Sequence, residues 1–193
     1  MHFKNIFKPS KQFISTLGAE TEGDLFIKYN VYPALAEYSK QDKEHLSKIV
    51  EISFYDIIHS TISNIGKYYK VPLYSPQGGV YQFDWISFFL NDAVYNAFDH
   101  SPKETPLIIA SYLGEKALGM AFFDGGDFYK QPTIKKIFAN KEPIPSTINT
   151  NIGLSGQNIG IQSIQKNPDF VEIDDQVGVL YCVLNKERLF SER

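Results

Sequence analysis

The chain has 193 residues, a formal net charge of −3, and hydrophobic and charged fractions of 43% and 21%. A chain of this length and composition can bury a substantial core, which excludes wholesale disorder, and its mildly acidic balance gives no reason to expect nucleic acid as a partner. The single cysteine, Cys182, excludes an internal disulfide and a thiolate metal cluster. We expect Cys182 to be a small core side chain in an apolar strand.

The sequence contains no run of about 20 apolar residues that could span a bilayer. Residues 1–15 carry three lysines but no apolar run of the length found in signal peptides. The lack of disulfides fits a reducing compartment. We therefore expect a soluble, cytoplasmic protein without a membrane span.

Two helices are predicted near the N-terminus. Residues 24–39 carry Leu and Tyr at three- and four-residue spacing, interrupted by Pro33. Residues 42–69 carry a longer apolar stripe that follows Asp42, a candidate N-cap. Residues 1–72 are accordingly interpreted as an N-terminal helical segment. This segment either extends the core or provides a surface for a protein partner or a homodimer.

The remaining residues, 73–193, are predicted to form one domain. After a loop rich in Pro and Gly, a helix is expected over residues 83–98. Two strand-like runs, 106–113 and 117–123, flank Gly114-Glu115-Lys116 and indicate a hairpin. A short helix at 133–139, a Pro- and Asn-rich stretch, a glycine-rich entry into a helix and a final hairpin of residues 171–173 and 177–184 follow.

The predicted helix over 83–98 ends in a polar stripe formed by Asp92, Asn96 and His100. Side chains four apart lie on one face because an α-helix has about 3.6 residues per turn. Oxygen ligands of this kind suit Mg²⁺, and a nearby carboxylate can activate water. The alternative is the solvated face of an ordinary amphipathic helix.

Two glycine-containing motifs follow the polar stripe. Asp124-Gly125-Gly126-Asp127-Phe128 stands where a strand ends, and its first carboxylate could accept a hydrogen bond from an exocyclic amine such as that of adenine. The run from Gly153 to Ile161 precedes a helix, where backbone N–H groups and the helix dipole favour phosphate. A simple polar turn and a glycine-rich linker are the alternatives for these two motifs.

In this order, the three motifs resemble those of the GHKL superfamily, which includes DNA gyrase, the heat-shock chaperone of ninety kilodaltons, histidine kinases and MutL. The resemblance implies that Asn96 is a ligand of Mg²⁺ and that Asp92 occupies the position of the water-activating carboxylate. It also implies an adenine site at Asp124, Gly126 and Phe128. The phosphate contacts would come from the second glycine box, at Gly156, Asn158 and Gly160.

The resemblance covers about residues 80–184 and implies an α+β fold of the Bergerat type. That fold is a two-layer sandwich, in which helices cover one face of a mixed, mostly antiparallel sheet. A chain of this kind resembles a stand-alone histidine-kinase-like ATPase, which binds Mg²⁺ and ATP and either hydrolyses ATP or phosphorylates a protein partner.

Two departures from the family pattern keep a second hypothesis open. The hydrolases of the family carry Glu where Asp92 stands, and Asn158 replaces a glycine. Since Asp is one methylene shorter than Glu, the chain could instead be a nucleotide-gated interaction module with little or no turnover. A third alternative is an α+β domain whose motifs are coincidental.

Overall fold

The computed structural model of the chain describes residues 5–34, 59–70, 102, 104–142, 165 and 168–189. None of the helices in these ranges is long and apolar enough to cross a membrane. The elements are, in chain order, helix α1 (Lys11–Thr16), a 3₁₀ turn (Glu22–Asp24), strand β1 (Phe26–Tyr32), helix α2 (described over 59–69), strands β2 (Leu107–Leu113) and β3 (Ala117–Phe123), helix α3 (Pro132–Asn140), strands β4 (Phe170–Asp174) and β5 (Val179–Asn185), and helix α4 (Lys186–Leu189).

The strands form one five-stranded sheet in the order β1-β2-β3-β5-β4. Strands β2 and β3 form one hairpin and strands β4 and β5 another, which confirms both predicted hairpins. The short helix predicted at 133–139 is confirmed as α3. The α+β class is therefore correct, but all four pairings among the described strands are antiparallel, whereas a mixed sheet was expected.

The helix predicted over residues 24–39 is wrong where the structure describes it, because β1 occupies the middle of that range. Ile27, Tyr29 and Val31 alternate with the polar Lys28 and Asn30, so the segment fits a period of two as well as the helical period. Aromatic and β-branched side chains favour a strand, and pairing with β2 along seven residues decides the outcome.

The N-terminal segment is therefore not wholly helical, since it supplies an edge strand of the sheet. The predicted helix over 42–69 is confirmed at residues 59–69, the part that the structure describes. The expected domain boundary between residues 72 and 73 lies outside the described residues.

Helix α1 covers one face of the sheet through Phe13. The Phe13 ring is fully buried and meets the rings of Tyr112 and Tyr181 edge-on, with centroids 5.3 and 5.2 Å away. Gly119 of β3 lies directly beneath, where an added Cβ would sit 2.6 Å from the Phe13 Cζ. Because such a distance is shorter than any van der Waals contact, α1 can pack this closely on the sheet only with a glycine at this position.

Helix α2 covers the opposite face. Thr61 accepts a 3.2 Å hydrogen bond from the Asn30 side chain, and Ile65 is fully buried. The Tyr69 hydroxyl lies 3.0 and 3.1 Å from the carbonyl oxygens of Gly114 and Ala117, within hydrogen-bond range of both. Helices thus lie on both faces, where the sequence led us to expect them on one, and every residue of β2 is buried.

We predict that Gly119→Ala lowers the free energy of unfolding by about 1–3 kcal/mol, because the new methyl group must displace Phe13 or Leu17. Urea unfolding followed by circular dichroism measures the change. Gly23→Ala is the matched control, since its Cβ would meet only the Thr21 Oγ1 at an ordinary 3.5 Å. Equal stability of the two variants would contradict the packing argument.

Candidate functional site

The chain leaves β3 through a tight turn at Asp124, Gly125 and Gly126. Gly125 has a φ of +73°, a conformation that side chains strongly disfavour. A Cβ at Gly125 would also lie 2.3 Å from the Cγ2 of Thr105. Backbone conformation and space both require glycine here, so the turn is rigidly placed against the residues that lead into β2.

The Asp124 carboxylate is held from within this turn. Its Oδ1 accepts a 2.8 Å hydrogen bond from the backbone N–H of Gly126, which is itself buried. Asp124 is half-buried, and within the described part of the chain its Oδ2 has no hydrogen-bond partner. One oxygen therefore fixes the orientation of the carboxylate, and the other can accept a hydrogen bond from a ligand.

An aromatic row extends from the turn towards α3. The ring of Phe128 meets that of Tyr129 at 5.2 Å, and Tyr129 meets Phe138 of α3 at 6.2 Å, both edge-to-face. Burial raises the pKa of the Tyr129 phenol well above its usual value, and the negative charge of Asp124 raises it further. Tyr129 therefore remains neutral, and its ring packs between those of Phe128 and Phe138.

The turn between β4 and β5 supports the other side of the Asp124 turn. Gly178, with a φ of +83°, leaves so little space that an added Cβ would lie 3.2 Å from the carbonyl oxygen of Gly126. The same position would be 3.1 Å from the Cγ of Lys130. Lys130 forms a 2.9 Å ion pair with Asp127, whose side chain is 89% exposed. Asp127 is therefore a solvated charge, in contrast to Asp124.

The side chain of Gln165 forms hydrogen bonds with the C-terminal end of α3. Its side chain is buried, and its Nε2 donates hydrogen bonds to the carbonyl oxygens of Ile137, at 3.0 Å, and Glu142, at 2.7 Å. The Ile137 carbonyl lies in the last turn of α3 and also accepts a 3.0 Å hydrogen bond from the backbone N–H of Glu142, whereas Glu142 follows the helix. Gln165 thus adds a donor at a helix end, where carbonyl groups lack partners further along the helix. Sequence reasoning missed this role, because the glutamine lies more than twenty residues from the groups it satisfies.

A groove of about 660 Å³ runs along β4, between α1 on one face of the sheet and α3 on the other. Its rim carries Lys135, which forms a 2.7 Å ion pair with Asp175 and thereby lowers the pKa of that carboxyl. No predicted site residue lines this groove. Its walls are formed by residues 10–12, 135, 138–139 and 170–173.

The structure brings three of the predicted site residues together in one turn, namely Asp124, Gly126 and Phe128. The others lie outside the described residues: Asp92, Asn96, His100, Gly156, Asn158 and Gly160. Within the ranges that the structure describes, no three His, Cys, Asp or Glu side chains are grouped so that they could hold a metal ion. The predicted core role of Cys182 is confirmed, since the side chain is fully buried.

Comparison of the chain with protein-family models, with curated proteins and with solved structures finds no significant match.

We predict that Gln165→Ala lowers the free energy of unfolding by about 1–3 kcal/mol, because the Glu142 carbonyl loses its donor and the Ile137 carbonyl keeps only its backbone donors. Thermal or urea unfolding measures the change. Gln131→Ala is the matched control, because Gln131 precedes α3, is exposed and makes no side-chain capping hydrogen bond. A loss of the same size in both variants would contradict the assigned role of Gln165.

Proposed function

We propose that the protein binds Mg²⁺ and ATP through a histidine-kinase-like site, and that it hydrolyses ATP or transfers the γ-phosphoryl group to a protein partner. The observation that carries the proposal is the Asp124 carboxylate, which is half-buried, oriented by the Gly126 N–H and left by the described residues with one available oxygen. A carboxylate in this state suits the exocyclic amine of adenine, which donates a hydrogen bond and carries no charge.

The surroundings of Asp124 support an adenine ligand over a cation. A cation would pair with any exposed carboxylate, such as that of Asp127, and needs no buried floor. An aromatic base gains from an apolar floor and from backbone that it can approach closely. The half-buried Phe128, four residues after Asp124, offers an aromatic surface, and the atoms nearest to an added Cβ at Gly126 would be those of the Asp124 carboxylate itself.

The finer fold belongs to the same proposal. We propose that residues 80–184 adopt a Bergerat-type arrangement, in which the Asp124 turn follows a central strand of the antiparallel sheet. The hairpin of β2 and β3, followed later by β5 beside β3, is compatible with it. The α1 layer on the opposite face would be an addition to that arrangement.

The phosphate end of the proposed site rests on the sequence motifs. Asn96 would hold Mg²⁺, and Gly156, Asn158 and Gly160 would contact the phosphates with backbone N–H groups. The ion would neutralise phosphate charge when bound. Asp92 would orient and deprotonate water or a hydroxyl group.

We predict that Asp124→Asn weakens ATP binding by about tenfold to a hundredfold. In one orientation of the new amide, its NH₂ group faces the adenine amine, so that two donors meet. In the other orientation, the NH₂ group faces the Gly126 N–H, and that hydrogen bond is lost. Isothermal titration with ATP in the presence of MgCl₂ measures the affinity. Asp127→Asn makes the same chemical change three residues along the chain at an exposed position, and it should leave the affinity unchanged. Equal affinities of both variants and the parent would overturn the adenine site.

A nucleotide-gated interaction module is the alternative, favoured by the short Asp92 side chain. The Asp92→Ala variant distinguishes these two functions. If the leading proposal is correct, the variant binds ATP as tightly as the parent does but no longer releases phosphate. If the protein is an interaction module, the parent and the Asp92→Ala variant release phosphate at the same background rate. A malachite-green assay beside the titration gives both readings on the same samples.

A further inference from the structure

The exposed apolar surface of the described residues is concentrated at one edge of the sheet. Phe26, Val31 and Tyr68 are the large hydrophobic side chains that remain exposed there, at 53%, 42% and 40%. Phe26 and Val31 belong to the edge strand β1, and the Tyr68 ring stacks on that of Phe26 with centroids 5.6 Å apart. Phe26 and Tyr68 lie on the face that α2 covers, whereas Val31 lies on the face that α1 covers, so apolar side chains are exposed on both faces along this edge. Exposed apolar groups along one edge indicate an interaction surface.

Strand β1 is also suited to accept a further strand. It has seven residues, contains no proline and carries one charge, at Lys28. Among the described strands it pairs on one side only, with β2. A long and weakly charged edge of this kind is a template for pairing with another chain.

The sequence of β1 is nearly palindromic in residue character. Tyr29 is the midpoint, with polar side chains next to it, aliphatic β-branched side chains beyond them and aromatic rings at the ends: Lys28 and Asn30, Ile27 and Val31, Phe26 and Tyr32. A strand that matches itself in the reverse direction is suited to an antiparallel copy of itself. Twofold symmetry generates this kind of self-complementary contact.

We propose that β1 pairs with β1 of a second copy about a twofold axis through Tyr29, which joins the five described strands of each copy into one sheet. Because the axis is perpendicular to the sheet, each face of one copy continues into the same face of the other copy. Residues paired across antiparallel strands likewise point to the same face. With Tyr29 on the axis, all seven residues pair, Ile27 faces Val31 of the second copy, and Lys28 faces Asn30 of the second copy.

Charge favours a second copy at β1 over the opposite edge. The same symmetric pairing at β4 would set Glu172 against its own copy, because Glu172 is the middle residue of that strand. Like charges directly opposite each other destabilise a strand pair. The outer side of β4 is in addition flanked by α1 and α3, which leave a groove there rather than an open edge.

Sedimentation of the full chain tests the proposal. We expect the parent, of 22.0 kDa per chain, to sediment at twice that mass at micromolar concentrations. Val31→Lys should raise the dimer dissociation constant at least about tenfold, because it places a charge against Ile27 of the second copy. Thr133→Lys adds the same charge at an exposed position of α3 and should leave the mass unchanged. A parent that is monomeric throughout, or a Val31→Lys variant with the same dissociation constant as the parent, would overturn the proposal.

Cysteine pairing tests the register separately. Under oxidation, Ile27→Cys/Val31→Cys should form a covalent dimer, since facing residues lie about 5 Å apart, within reach of a disulfide. Neither single variant should do so, because like positions would be about 13 Å apart. The natural Cys182 is buried and does not interfere. Equal cross-linking of single and double variants would overturn the register, and neither experiment depends on ATP binding.

Discussion

The fold depends on the close approach of Phe13 to a glycine in the middle of the sheet. Since Gly119 has no side chain, the Phe13 ring reaches the strand backbone and lies between Tyr112 and Tyr181. The N-terminal residues before β1 are thereby fixed on this face, where the backbone N–H of Lys8 also donates a 2.8 Å hydrogen bond to the Tyr181 hydroxyl. With α2 on the other face, the central strands are buried on both sides.

Burial of the central strands places the possible sites at the ends and edges of the sheet. Side chains in the middle of β2 are enclosed, so a ligand can approach where strands end or where an outer strand is open. The Asp124 turn is such an end, and it is rigid because Thr105 and Gly178 pack closely against it on two sides. Among the described strands, β1 has an outer edge without a neighbour, and it carries two of the exposed apolar side chains, Phe26 and Val31.

The two positions differ in the chemistry that they present. At Asp124, a single carboxylate oriented by the Gly126 N–H offers one directional acceptor, which suits a small ligand with one donor in the right place. At β1, a row of backbone groups and apolar side chains offers many weak, repeated contacts, which suits another strand. Both positions lie beside the hairpin of β2 and β3, which is the most deeply buried part of the described chain.

The sequence by itself determined the elements whose signals are local. Apolar runs on either side of Gly114-Glu115-Lys116 define the hairpin of β2 and β3, and the glycines after Asp124 mark the turn. It also correctly indicated α3 and the core position of Cys182. The tertiary structure decided what depends on partners far along the chain. Residues 26–32 have apolar positions that satisfy two periods, and pairing with β2 selects the strand. Gln165 and Gly119 acquire their roles from groups that no local pattern places beside them, since each contact joins segments more than twenty residues apart.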